Sequence, residues 1–222
     1  MDEAGLNNTF IKSAKVSNLM KLLLTSAGFE NAKIGRKFVE LVGKPASEIR
    51  VVFIPTASRT KEESRYADEA RKEILNTGVR GENIKTLNLD HHISYPEIKD
   101  FDAIYVCGGN TFFLLHQARK TGFDKIIKQF LNDGKLYVGV SAGSILVCPT
   151  TELAVPYDKN DLGISDFTGL NLVDVVIAPH YSDKGKDKEI IKKYGKRLAY
   201  EIIALTDQQA YLVLGQNAEI IQ

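Results

Sequence analysis

The chain has 222 residues, 44% of them hydrophobic, enough for one α/β domain with a substantial buried core. Its 29 basic and 28 acidic residues leave a net charge of +1, so no broad field recruits nucleic acid or an acidic membrane. No apolar run approaches the roughly 18 residues of a membrane span, and the cysteines, Cys107 and Cys148, lie in no C-x-x-C pair. Two isolated cysteines make no disulfide framework and point to a reducing compartment, the cytoplasm.

Residues 1–19 read as an N-terminal extension; early acids and the lack of a long apolar core argue against a signal peptide. The folded domain is expected to run from Met20 to Gln222. Leu22–Thr25 predicts a first strand and Asn31–Val42 a helix with apolar residues at Ile34, Phe38, Leu41 and Val42. Arg50–Ile54 is a β-branched and aromatic run ending at Pro55, as a strand buried on both faces would be. Thr60–Asn76 predicts an exposed, charged helix and Ile84–Leu89 a short strand. Asp102–Cys107 predicts a buried strand closed by Gly108-Gly109, and Asn110–Lys120 and Phe123–Asp133 two helices. Lys135–Val140 predicts a strand running directly into Ser141-Ala-Gly143, with a helix starting at Ser144–Val147.

Beyond Thr150 the pattern turns irregular. Leu172–Ile177 predicts a strand ending in Ala178-Pro-His180. Lys184–Leu198 predicts a basic helix whose lysines read as a solvated face, and Glu201–Leu205, Ala210–Leu214 and Ala218–Ile221 predict closing strands. Alternating β and α elements imply right-handed crossovers and a mostly parallel central sheet with helices on both faces.

Gly139-Val-Ser141-Ala-Gly143 matches the G-x-S-x-G nucleophile elbow. A strand must turn sharply into a helix there, exposing the serine at the carboxyl edge of the sheet. Small neighbours let strand and helix approach, and the helix aims its free N–H groups where an oxyanion forms. A tight strand–helix turn with a capping serine would show the same residues. Cys107-Gly-Gly-Asn110 closes another strand, and open α/β sheets bind ligands at such carboxyl ends. The Gly109 and Ala142 N–H groups are therefore expected to form an oxyanion hole, with Gly108 and Asn110 beside it; a plain glycine turn is the other reading. Cys107 reads as a small buried residue.

A serine nucleophile needs a base within hydrogen-bond reach. His91, His92 and His116 have surface or packing explanations, whereas His180 follows a buried strand. Asp207, Asp158, Glu152 and Asp183 are all open as the carboxylate that orients it. No H-x-x-x-H or H-E-x-x-H arrangement supports a metal, so no cofactor is expected.

Taken together, Val106–Leu114, Gly139–Ser144, Cys148-Pro-Thr150 and Ala178-Pro-His-Tyr181 resemble the peptidase E (α-aspartyl dipeptidase) family in order and spacing. Lys21–Ser26 and Val51–Thr56 also fit. The resemblance implies a class I glutamine amidotransferase-like fold with serine at the elbow, Ser141 as nucleophile, His180 as base and the Gly108-Gly109 turn as oxyanion partner. It implies an acid either near the C-terminus, where Asp207 stands and is preferred, or between Ser and His, where Asp158 is nearest. It also implies a short peptide substrate and a monomer or homodimer, with no nucleic-acid or membrane partner.

One departure concerns specificity. Aspartyl dipeptidases carry an arginine after the His motif for the substrate carboxylate, and here that segment holds lysines, with Arg197 late in the helix. Lysine lacks the bidentate fork of arginine, so aspartyl specificity does not follow. Relatives on this fold include cyanophycinase, which cleaves β-aspartyl-arginine. A non-catalytic small-ligand-binding protein, or an esterase or acyltransferase using Ser141 and His180, fits the same residues.

Overall fold

The computed structural model describes residues 20–222, and the expected extension over 1–19 lies outside the described residues. In chain order the strands and helices are β1 (Lys21–Thr25), α1 (Ala32–Val42), β2 (Val51–Ile54), α2 (Lys61–Asn76), β3 (Ile84–Thr86) and β4 (Ala103–Val106). There follow α3 (Thr111–Thr121), α4 (Phe123–Asn132), β5 (Leu136–Val140), α5 (Ala142–Leu146), β6 (Val175–Ala178), α6 (Asp187–Gly195), β7 (Glu201–Ala204), β8 (Ala210–Leu214) and β9 (Asn217–Ile221).

Seven strands form the main sheet in the order β3-β2-β4-β5-β1-β8-β9. The first five are mutually parallel, and β8 and β9 add antiparallel at the β1 side. The expected mostly parallel sheet is therefore present, with an antiparallel edge built from the closing strands.

Strand alternation sorts apolar side chains to two cores. Leu22, Leu24, Val52, Ile54, Ile104, Val106 and Tyr137 pack with α3, α4 and α5 on one face. Leu23, Val51, Phe53, Tyr105, Val138 and Val140 pack with α1 and α2 on the other. Both faces are covered, which is why these strands read as unbroken apolar runs. Each fully buried leucine, isoleucine or phenylalanine contributes about 1.5–3 kcal/mol.

Three details differ from the sequence reading. The strand expected over 172–177 begins only at Val175. Leu172 donates its N–H to Val147 O and Leu170 donates to Leu146 O, so this stretch lies against the end of α5 and leaves the strand ladder. Next, β6 pairs in parallel with β7 in a separate two-stranded sheet, closing a small core of Leu153, Val176, Ala178 and Tyr194. Finally, α2 is not exposed all round: Ala67, Ala70 and Ile74 face the core, and Thr60 with Glu63 forms a capping box at its start.

No described helix is long and apolar enough to cross a membrane. The lysines of 184–196 are all exposed, as a solvated face requires.

Candidate active site

The elbow is where the main sheet hands the chain to α5. Ser141 is held at φ 49° and ψ −108°, a conformation L side chains rarely adopt and one that costs roughly 1–3 kcal/mol. The surroundings enforce it. Ser141 N–H donates to Thr25 O (3.0 Å) on β1, and the Ser144 hydroxyl lies 2.8 Å from both Thr25 O and Gly139 O. Tyr137 donates its buried hydroxyl to Gly143 O (2.7 Å).

Glycine at 139 and 143 is a packing requirement. A Cβ on Gly139 would stand 2.6 Å from Gly143 O, and one on Gly143 would stand 2.3 Å from Val106 O. The strand, the turn and β4 are too close for any side chain at either position. The helix expected after the serine starts at Ala142, two residues earlier than its apolar run suggested, and is only five residues long. So short a helix supplies local N–H donors and little macrodipole.

His180 stands just past β6, itself at positive φ (57°). Its Nε2 lies 2.9 Å from Ser141 Oγ, and its Nδ1 lies 2.6 Å from Asp207 Oδ1. An ionised carboxylate only accepts, so Nδ1 carries the proton and Nε2 is left to accept from the serine hydroxyl. The His180 and Asp207 side chains are 53% and 50% exposed, so solvent reaches both.

One member of this array was not foreseen. Ser26, buried at the end of β1, accepts the His180 backbone N–H (2.7 Å) and donates its hydroxyl to Asp207 Oδ1 (2.8 Å). It ties His180 and Asp207 to the main sheet. Its only trace in the sequence is its place at the strand end, which β1 shares with many unremarkable serines.

The other carboxylates considered for this role are engaged elsewhere. Asp158 accepts the Thr111 N–H (2.7 Å) at the start of α3, so it is not the residue brought to His180. Burial pushes its carboxyl above the usual range against the pull of that Thr111 contact. Glu152 pairs with Arg197 (2.6 Å), and Asp183 accepts the Tyr181 hydroxyl (2.9 Å).

Gly108 abuts Ser141: a Cβ there would lie 3.1 Å from Ser141 Cβ. Gly109 sits at φ 131° with Ala57 O pressed against its open side, so only glycine fits. Among the described residues neither the Gly109 nor the Ala142 N–H donates to a protein acceptor, and both stay available to an oxyanion. Asn110, beside this turn, serves as the cap of α3. Its Oδ1 accepts the Phe113 N–H (2.9 Å), capping the first turn of α3, and its Nδ2 donates to Lys159 O (2.9 Å) in the segment before β6.

Two clefts meet at Ser141. The larger, about 750 Å³, runs between Ser26–Gly28, α2 and the Cys107–Gly109 turn. The smaller, about 120 Å³, is mostly apolar, with Ile145, Leu153, Ala154, Tyr157 and Ile191 in its wall. Among the described residues no lysine or arginine lines either. Among the described residues no three His, Cys, Asp or Glu side chains gather as metal ligands would.

Both cysteines are buried. Burial pushes the Cys148 thiol up to about 12 and the Cys107 thiol further still. Iodoacetamide at neutral pH is therefore expected to label neither thiol in the folded protein and both after denaturation, as read by intact mass. Prompt labelling of Cys107 without denaturant would mean that its thiol, and not only its backbone, opens into the large cleft.

The sequence has counterparts among known proteins. The model of peptidase family S51 matches residues 22–221. An uncharacterized peptidase of Pasteurella multocida is 37% identical over 212 residues, covering 91% of this chain and 98% of that protein. Peptidase E of Salmonella typhimurium is 33% identical over 149 residues, 62% of this chain and 60% of the relative. A crystal structure of a candidate peptidase E from Listeria monocytogenes superimposes with a TM-score of 0.77 at 29% identity, covering 91% of this chain and 98% of that one.

Proposed function

The chain belongs to peptidase family S51, and from that premise we propose that it hydrolyses amide bonds of short peptides through an acyl-enzyme formed on Ser141. The observation that carries this reading is the Ser141–His180–Asp207 array, with contacts of 2.9 and 2.6 Å, on a strained strand–helix elbow.

In this reading Ser141 Oγ attacks the scissile carbonyl carbon while His180 Nε2 takes the hydroxyl proton. Asp207 holds the ring in the required tautomer and stabilises the imidazolium. The carbonyl oxygen, now negative, is held by the Gly109 and Ala142 N–H groups, a kind of contact worth about 3–4 kcal/mol per donor in acyl transfer. His180 then gives its proton to the amine nitrogen, the C–N bond breaks and the amine leaves. Water activated by the same imidazole attacks the ester, and Ser141 regains its proton.

Aspartyl specificity has no support from the site. Arg197 is paired with Glu152 and lies over the Tyr194 ring (4.5 Å), and Lys186 lies over the Tyr157 ring (4.8 Å). Among the described residues no lysine or arginine lines either cleft to receive a substrate carboxylate.

The test is covalent. A fluorophosphonate is expected to add to Ser141 alone, located by peptide mass, and to block release of free amino acid from a dipeptide panel. Failure of both labelling and turnover would sink the hydrolase reading in favour of a binding protein. Cleavage of esters with no dipeptide cleaved would move it to an esterase. Asp207→Asn is expected to lower kcat/KM by about 10²- to 10⁴-fold, since the asparagine amide disturbs the tautomer. Half-exposure of the carboxylate favours the lower end of that range. Ser26→Ala, which loosens the carboxylate without removing it, is expected to cost about tenfold in kcat.

A further inference from the structure

The two clefts that meet at Ser141 differ in kind, and the smaller one is built to the measure of a single side chain. Part of its wall comes from the elbow itself. Ile145 stands four residues after Ser141 and donates its N–H to Ser141 O (3.0 Å), and both line the cleft. Leu153 and Ala154 are supplied by the short turn over Glu152–Ala154, and Ile191 by α6. Ser141 and His180 line this cleft as they line the larger one, so a group seated in it belongs to the molecule held at Ser141.

Size sets the first limit. An engineered apolar cavity of about 150 Å³ admits benzene. This cleft, at about 120 Å³, has room for roughly four carbons on that scale, which is the side chain of valine, isoleucine or leucine. A ring carried on a methylene is too large for it, and the rest of a peptide belongs in the cleft of about 750 Å³. Tyr157 fixes part of the wall: its hydroxyl donates to Asp187 Oδ1 (2.9 Å) at the start of α6. That bond joins the two segments that bring Ala154 and Ile191 to the cleft.

Charge sets the second limit. Among the described residues Asp158 is the one carboxylate lining this cleft, and no cation pairs with it. Lys186 lies over the Tyr157 ring and does not line the cleft. A substrate aspartate placed here would meet a second carboxylate and no positive charge. Two carboxylates in one partly desolvated space repel, and one of them must take up a proton. Burial already works against the Asp158 charge, which leaves less room for another. We infer that the small cleft is a specificity site that takes a branched aliphatic side chain from a residue flanking the scissile bond and turns aspartate away. The inference rests on the reading of Ser141 as the peptide-cleaving centre and names its substrate class.

The experiment separates the two. Ser141→Ala protein is titrated by calorimetry with dipeptides carrying alanine, valine, leucine, phenylalanine, asparagine or aspartate at each position in turn. At one of the two positions leucine is expected to bind about tenfold more tightly than alanine. Phenylalanine should fall below leucine there, asparagine should fall below it despite its similar size, and aspartate should bind worst. Adding Ile191→Ala is expected to raise the phenylalanine-to-leucine ratio about tenfold by opening the wall. Adding Asp158→Asn is expected to bring the asparagine-to-aspartate ratio toward one, since the amide can still accept the Thr111 N–H. The side-chain series alone decides if either wall variant does not fold. Phenylalanine or aspartate binding as well as leucine at both positions overturns the inference, and so do ratios that neither wall change moves. In wild-type protein, turnover led by aspartate peptides would overturn it and leave the hydrolase reading standing. Leucine-selective binding that follows the wall changes, with no peptide ever cleaved, would uphold the cleft's selectivity and sink the hydrolase reading.

Discussion

Ser141→Ala is expected to lower kcat/KM for every cleaved peptide by about 10⁴- to 10⁶-fold, with His180→Ala falling in the same range. The pair should behave as one unit. Once either partner is gone, the hydroxyl has no base or the base no nucleophile, so the double variant is expected to be no worse than the poorer single one. Stability gives the control. The Ser141–His180 contact is a half-exposed hydrogen bond, so each single variant should unfold within about 1 kcal/mol of the parent in a denaturant titration. A Ser141→Ala protein that keeps more than about a hundredth of the activity would end the acyl-enzyme proposal. A loss that comes with unfolding would leave the double-variant comparison to decide it.

The largest expected effect on stability is at Gly143. Alanine there would place its Cβ 2.3 Å from Val106 O and 3.1 Å from Val106 C, both backbone atoms in the middle of the sheet. No rotamer change relieves a clash with backbone, so β4 and the elbow must separate. The expected cost is more than about 4 kcal/mol, in the rare upper tail for single substitutions. Gly134→Ala supplies the comparison: its φ is also positive (73°), but a Cβ there meets nothing within 4 Å. That change should cost only about 1–2 kcal/mol, the price of left-handed backbone alone. A Gly143→Ala protein as stable as Gly134→Ala would mean that the elbow has room the packing denies.

How much of this could be read from residues alone differs by element. Buried parallel strands announce themselves because both faces are apolar, so β2, β4 and β5 were evident as unbroken runs ending in turn residues. Ser141, His180 and Asp207 each stand just past a strand, and alternation of strand and helix delivers strand ends to one edge. What sequence does not carry is which loops reach across that edge. Asp158, Glu152 and Asp183 stayed open beside the preferred Asp207 until hydrogen bonds assigned each to another task. Asn110 could be read as a helix cap or as a ligand contact, and residues alone cannot show that Phe113 N–H and Lys159 O occupy the two ends of its amide. Ser26 was invisible for the opposite reason, since its role needs two partners more than 150 positions away. The glutamates of α2 were legible as charge, but only the packing of Ala67, Ala70 and Ile74 against the sheet turns that face toward the nucleophile.

The hydrogen bond from Ser26 to Asp207 spans 181 positions, and the strand that carries Ser26 is itself clasped between β5 and β8. During synthesis the elbow and His180 leave the ribosome before Asp207 and the strand that completes the clasp. A growing chain thus holds its nucleophile early and its working array last. A fragment ending ahead of Asp207 would lack both the carboxylate that contacts His180 and the antiparallel neighbour that fixes β1. Under the proposed mechanism, competence to cut peptides therefore waits on the synthesis of Asp207 and β8.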